Sequence, residues 1–94
     1  MSDPAEELED KIDDLRQKMA TREEFIEILR LLLEDFQQNK ATWENQTLEH
    51  YLGAMVAWAG SMDNYYLHRK MELDASQPNW KVFADLLLAA RVYE

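Results

Sequence analysis

The chain has 94 residues, with 19 acidic side chains and 10 Lys or Arg, so its formal net charge is −9. This length leaves room for one domain, and the absence of cysteine excludes disulfides, thiolate metal sites and cysteine nucleophiles. The negative charge disfavours nucleic acid and acidic lipid surfaces, because both are bound through basic faces.

The first predicted element is an acidic helix over residues 5–19. Its apolar residues are spaced four, three and four apart: Leu8, Ile12, Leu15 and Met19. Such a narrow seam is typical of a helix that contacts one neighbour, and two heptads are too short to be stable alone. We therefore expect residues 1–20 to pack on a helical domain at residues 21–94 or to remain partly loose.

The second predicted helix begins after Thr21, which forms the sequence pattern of a capping box with Glu24. Its apolar positions cover more than half of the circumference: Phe25, Ile26, Ile28, Leu29, Leu31, Leu32, Leu33 and Phe36. A stripe of this width should contact two neighbouring helices rather than one.

The third predicted helix begins near Thr47 and has one face of small, mostly uncharged residues, among them Gly53, Ala57 and Gly60. A solvated face normally carries charged residues, and a glycine inside a helix costs about 1 kcal/mol relative to alanine. The pattern therefore predicts that another helix approaches this face closely and that the third helix lies at the centre of the protein.

The fourth predicted helix follows Pro78 and Asn79 and is apolar nearly all round, which is typical of a buried helix. We interpret four aromatic residues as core: Trp58, Tyr66, Trp80 and Phe83. No segment alternates with the period of a strand. The sequence therefore predicts an all-α protein, a small bundle of three main helices plus the acidic N-terminal helix.

From Trp43 onward the chain resembles a family of small, mostly bacterial proteins known only as a domain of unknown function. Two motifs carry most of the resemblance: Trp43-x-Asn45-x-x-Leu48, and Asn79-Trp80-x-x-Phe83-Ala84-Asp85. With the preceding helix, the resemblance spans residues 21–94. It implies a compact helical domain, and it brings no assigned activity, cofactor or catalytic residue.

The residues predict no metal site, no cofactor and no catalytic activity. The two histidines, His50 and His68, lack the Glu-x-x-His spacing of a helical diiron site and are interpreted as solvated or capping residues. No serine lies in a nucleophile elbow, and two glycines cannot form a phosphate loop. Asp85, inside the apolar fourth helix, is the best candidate for a general acid or base, but the simpler interpretation is a solvent-facing residue beside Lys81.

No targeting or membrane segment is visible. The N-terminus is acidic and lacks the apolar region of a signal peptide, and no apolar run approaches the roughly 20 residues of a membrane span. We therefore expect a soluble, cytoplasmic protein.

The acidic charge favours encounter with a basic protein partner. We therefore expect a non-catalytic protein-binding or regulatory module, analogous to small acidic proteins that neutralise a basic toxin or enzyme. Its expected surface includes Trp43, which could act as a lid over the core, and the acids Glu34, Asp35 and Glu44, which we take to be exposed. One alternative is a structural subunit, a homodimer for example, that self-associates through the N-terminal seam. The other is a small-ligand binder or enzyme with a pocket near Trp43 and Asp85.

Overall fold

The computed structural model describes residues 3–69 and 77–93. Within these ranges the chain forms α1 (Pro4–Lys18), α2 (Arg22–Asn39), α3 (Leu48–His68) and α4 (Trp80–Ala89), with a short 3-10 helix at Lys40–Thr42. No strand occurs in the described residues, so the all-α prediction is confirmed.

Side-chain caps mark the beginning of each α-helix. The hydroxyl of Thr21 accepts a hydrogen bond from the backbone N–H of Glu24, whose carboxylate accepts one from the backbone N–H of Thr21, so the predicted capping box is present. Asp3, Thr47 and Asn79 cap the other three helices through backbone N–H groups of the first turn. These bonds satisfy donors that a helix N-terminus otherwise leaves without partners.

The central helix is α4, which packs against α1, α2 and α3. Apolar residues of α1, α2 and α4, with Met19 after α1, form the larger buried cluster: Leu8, Ile12, Met19, Ile28, Leu31, Ala84 and Leu88. A smaller cluster forms where α3 packs on α4, and its buried members are Trp58, Tyr66 and Val82. The nearly all-round apolar surface of α4 explains its position, because three different helices pack against it.

The prediction that α3 is central and covered on both sides is wrong. Among the described helices, the backbone of α3 packs closely against α4 alone. Nothing described lies within 4 Å of the position that a Cβ atom would take at Gly53 or Gly60. Gly53, Ala57 and Gly60 are therefore exposed, and the lack of charge at these positions did not signal a close neighbour.

The apolar seam of α1 is buried inside the chain. Leu8, Ile12 and Met19 pack with α2 and α4, and Leu15 packs beside them. Because these side chains already lie in the core, the seam offers no apolar surface to a second copy, which contradicts its use for self-association. No helix in the described part of the chain is long and apolar enough to cross a membrane.

Candidate functional site

Asp35, which the sequence analysis placed on an exposed interaction surface, is buried. Its Oδ2 atom accepts hydrogen bonds from the indole N–H of Trp43 at 2.8 Å and from the guanidinium of Arg91 at 3.0 Å. The helical period explains this correction, since Asp35 follows Ile28 and Leu31 on the same buried face of α2. The carboxylate fixes Trp43 and the C-terminal turn to α2.

Trp43 is also buried, so it contributes no exposed indole to an interaction surface. Its ring packs between Phe36 of α2, with centroids 5.0 Å apart, and Tyr51 of α3, at 5.6 Å. Trp43 therefore covers the core. It also connects α2 and α3, whose backbones do not pack against each other. Of the four residues predicted for the surface, Glu44 is exposed and Glu34 is partly exposed.

Asp85 is fully buried, which makes its interpretation as a solvent-facing residue wrong. It accepts hydrogen bonds from Arg16 at 2.5 Å, from the Tyr66 hydroxyl at 2.7 Å and from Lys81 at 3.3 Å. Burial, together with the bond to Asp85, raises the pKa of Tyr66 well above its ordinary value, so the phenol remains a neutral donor. Asp85 thus joins α1 and α3 to α4.

Asn45 attaches the loop before α3 to the turn that follows α4. Its side-chain amide donates hydrogen bonds to the carbonyl oxygens of Ala90 at 3.0 Å and Tyr93 at 2.8 Å. Its backbone N–H donates a third to the carbonyl oxygen of Arg91 at 3.1 Å. Arg91 in turn pairs with Glu9 of α1. Sequence reasoning missed these roles because the partners are far apart in the chain.

A cleft of about 240 Å³ opens beside Trp43. Phe36, Trp43 and Tyr51 form its aromatic wall, and Leu48, at the start of α3, forms its edge. The pocket predicted near Trp43 therefore exists, but Asp85 does not line it, because both carboxylate oxygens are occupied elsewhere.

Exposed apolar side chains also occur on α2, α3 and α4, and one of them, Leu48, lines the cleft itself. One helical turn before Phe36, Leu33 of α2 is 59% exposed, and the first residue of α3, Leu48, is 73% exposed. Phe83 of α4, which the sequence analysis assigned to the core, is 38% exposed. We call the surface formed by five of these residues the apolar face: Leu29, Leu33, Leu48, Leu52 and Phe83.

The position of α4 explains why the apolar face is open. Phe83 contacts Phe25 of α2, with ring centroids 6.3 Å apart, and one turn later the carbonyl oxygen of Leu87 accepts a 2.6 Å hydrogen bond from Tyr51 of α3. This edge of α4 therefore lies between α2 and α3, whose backbones do not pack against each other across it. Where exposed apolar side chains are contiguous, they mark interaction sites in small soluble proteins.

Two acidic residues lie beside residues of the cleft and the apolar face in the sequence. Glu44 directly follows Trp43 and is exposed, whereas Glu49 lines a different depression with His50 and Gly53. Glu34 lies next to Leu33 on α2, and Lys40, whose ammonium lies 5.4 Å over the Phe36 ring, is a basic residue nearby. Glu34 also pairs with Arg30, so both acidic and basic side chains lie near the apolar face.

The two histidines lie away from this face, and both are exposed. His50 is in the first turn of α3, and His68 is the last residue of that helix. Within residues 3–69 and 77–93, no group of three or more His, Asp or Glu side chains is arranged to hold a metal ion.

Residues 21–94 match the model of DUF7660, a family of unknown function, and the chain belongs to this family. The match begins at the N-cap of α2, so α1 lies outside it. No curated protein and no solved structure matches the chain.

Proposed function

We propose that this member of a family of unknown function is a non-catalytic, cytoplasmic protein-binding module that docks a basic, amphipathic helix of a partner protein. The observation that carries the proposal is the apolar face: Leu33, Leu48 and Phe83 are exposed on three different helices, and Leu48 also lines the cleft beside Trp43.

The shape of the apolar face favours a helix as the occupant. Its walls are two helices, α2 and α3, which are held apart by α4. An amphipathic helix can lay apolar side chains at positions i, i+3, i+4 and i+7 into such a groove. The cleft beside Trp43 is large enough for one anchoring side chain, and a few well-packed anchors supply most of the affinity in interfaces of this type.

The charge around the face favours a basic partner. Glu34 and Glu44 follow Leu33 and Trp43 in the sequence, and the chain carries a net charge of −9. Lysine and arginine residues that flank an apolar stripe would meet these carboxylates at the rim, where charge acts mainly on the association rate. The same charge makes us expect no binding to nucleic acid or to acidic membranes.

A non-catalytic role is supported by the use of the buried carboxylates. Among the described residues, Asp35 and Asp85 are the charged side chains buried in the core, and each is engaged by an arginine and by an aromatic donor. A general acid or base must reach a substrate proton. Both oxygens of each carboxylate already accept hydrogen bonds within the protein, so neither is free for a substrate.

A designed peptide that stands in for the partner helix tests the proposal. The probe is an amphipathic Leu/Lys helix, and the control is a scrambled peptide of the same composition. In amide chemical-shift mapping, we expect saturable changes confined to the apolar face and the cleft beside Trp43, and weaker, dispersed changes with the scrambled peptide. Equal changes with both peptides would show that only the net charge of the peptide matters for binding, which would contradict the proposal.

A variant pair and a mass measurement complete this test. Leu52→Asp should abolish the localised changes, whereas Leu67→Asp, at a residue that is 72% exposed near the other end of α3, should preserve them. Sedimentation of the free protein should give a monomer. A dimer that Leu52→Asp dissociates would assign the apolar face to a second copy of the chain and overturn the proposal.

A further inference from the structure

A second cleft, of about 500 Å³, lies between the C-terminal half of α3 and the residues after α4. Three aromatic side chains line it: Trp58, Tyr65 and Tyr93. The rings of Trp58 and Tyr65 pack edge to face with centroids 5.5 Å apart, and the Tyr93 hydroxyl lies 3.3 Å from the hydroxyl of Ser61. Flat aromatic rings therefore form the walls of this cleft.

The polar residues that line this cleft include Arg69, His68 and Asn64, and none of its lining residues within the described chain is acidic. The guanidinium of Arg69 lies 4.4 Å over the Tyr65 ring, a cation–π contact that orients it at the cleft. Arg16 and Arg91 each pair with a carboxylate, whereas Arg69 has no carboxylate partner among the described residues.

We propose that this second cleft binds a small aromatic anion, with a planar ring against Trp58, Tyr65 and Tyr93 and a carboxylate or phosphate on Arg69 and His68. A cleft of 500 Å³ lies in the range of about 300–1,000 Å³ typical of small-molecule sites. The guanidinium fork matches a carboxylate or phosphate through two parallel N–H donors. The side-chain amide of Asn64 supplies a further hydrogen-bonding group beside the ring.

Local chemistry, rather than total charge, supports the choice of an anion. The chain as a whole repels anions at long range, but at physiological salt the field of distant carboxylates is screened within about 8 Å. Contact with Arg69 and His68 therefore decides the affinity of a small ligand. The second cleft shares no residue with the apolar face, so this inference stands or falls independently of the proposed function.

Simple aryl anions and their neutral counterparts test the inference. Phenyl phosphate and benzoate are titrated beside phenol, and adenosine 5′-monophosphate beside adenosine, while the indole N–H signal of Trp58 and the amide signals of α3 are followed. We expect saturable shifts with the anions and at least about tenfold weaker binding of the neutral compounds. The dissociation constants of phenyl phosphate and of the nucleotide are then compared. The lower of the two shows whether a single ring or a nucleobase fits the cleft better.

Two matched arginine variants locate the site. Arg69→Gln should weaken binding of the anions at least about tenfold, whereas Arg22→Gln, at an exposed arginine at the start of α2, should leave it unchanged. His68→Asn should also weaken binding. Absence of saturable shifts with every anion, equal binding of phenol and phenyl phosphate, or equal effects of the two arginine variants would each overturn the inference.

Discussion

Two buried carboxylates join distant parts of this small protein, and an arginine meets each of them. Arg16 reaches Asp85 across 69 positions of sequence, and Arg91 reaches Asp35 across 56. Trp43 and Tyr66 donate further short hydrogen bonds from side chains that are themselves buried. Breaking a buried pair by removing one partner is costly, because the other charge is left without compensation.

The first prediction concerns Asp85. Replacing it in Asp85→Ala leaves the Tyr66 hydroxyl and two cationic groups without their acceptor, so the free energy of unfolding should fall by about 3–5 kcal/mol. The matched control is Asp63→Ala, at an exposed position of α3, which should change it by less than about 0.5 kcal/mol. Urea denaturation measures both values. Equal effects of the two substitutions would remove the structural role assigned to Asp85.

A second residue-scale prediction follows from the hydroxyl of Tyr51, which donates to the carbonyl oxygen of Leu87 at 2.6 Å. Burial raises the pKa of Tyr51 from 10.0 to about 12. Between these values the folded protein holds a proton that the unfolded chain releases, so this contribution to stability is complete below pH 10 and is lost as pH rises towards 12.

Comparison with Tyr51→Phe isolates this effect. At pH 8 the variant should be less stable than the wild type by about 1 kcal/mol, because it lacks the hydrogen bond. Urea unfolding at increasing pH should show this difference shrinking above pH 10, since only the wild type has a phenol to ionise here. A difference that stays constant up to pH 12 would contradict the predicted shift.

The sequence indicates which residues are apolar, but it did not reveal which acids are buried. Asp35 and Asp85 each lie within an apolar pattern, which was the available signal. Their arginine partners lie elsewhere in the chain, and periodicity carries no information about such pairs. Without a visible partner, burial of a carboxylate is energetically unfavourable, so exposure was the reasonable expectation.

At the scale of elements, α1 is part of the core although it lies outside the matched family region. We expect Ile12→Ala, in a fully buried side chain of α1, to lower the free energy of unfolding by about 2–5 kcal/mol. Ile26→Ala, in a half-exposed isoleucine of α2, is the matched control and should cost much less. If both variants unfold at the same urea concentration, α1 is loosely attached, and residues 21–94 form the folded unit.

The open face of α3 yields an opposite prediction, a gain in stability. Gly53→Ala and Gly60→Ala place a methyl group where nothing described lies within 4 Å, and neither glycine has a left-handed backbone conformation. Each substitution should therefore stabilise the protein by up to about 1 kcal/mol, because alanine favours the helical state. Thermal unfolding measures the change. Destabilisation by either substitution would restore the idea of a covered face.

The helices themselves were predictable, whereas their neighbours were not. Thr21 and Thr47, together with the spacing of apolar residues, located the beginnings of two of the helices. The neighbours of α3 could not be inferred, since an uncharged face has the same sequence pattern whether a helix of the chain covers it or none does. The same ambiguity hid the exposure of Phe83, which lies beside buried residues of α4.

At the scale of the whole molecule, α4 packs against the three other described α-helices, and the protein presents two surfaces of different chemistry. The apolar face has residues of α2, α3 and α4, and the second cleft lies at the other end of α3 with an arginine and a histidine. The acidic composition indicated a basic partner, but the position of the apolar face depends on how the helices pack. Glu34 and Glu44 were predicted as part of the surface, whereas Leu48 and Leu52 were not.

The central claim is that the apolar face buries apolar surface of a partner helix. Titration calorimetry of the amphipathic Leu/Lys peptide at several temperatures tests it most directly, because a negative heat-capacity change is a robust marker of apolar burial. We predict a negative heat-capacity change that Leu52→Asp abolishes and Leu67→Asp retains. Binding with no heat-capacity change, equally affected by both substitutions, would show that the peptide is held by charge alone and would contradict the account.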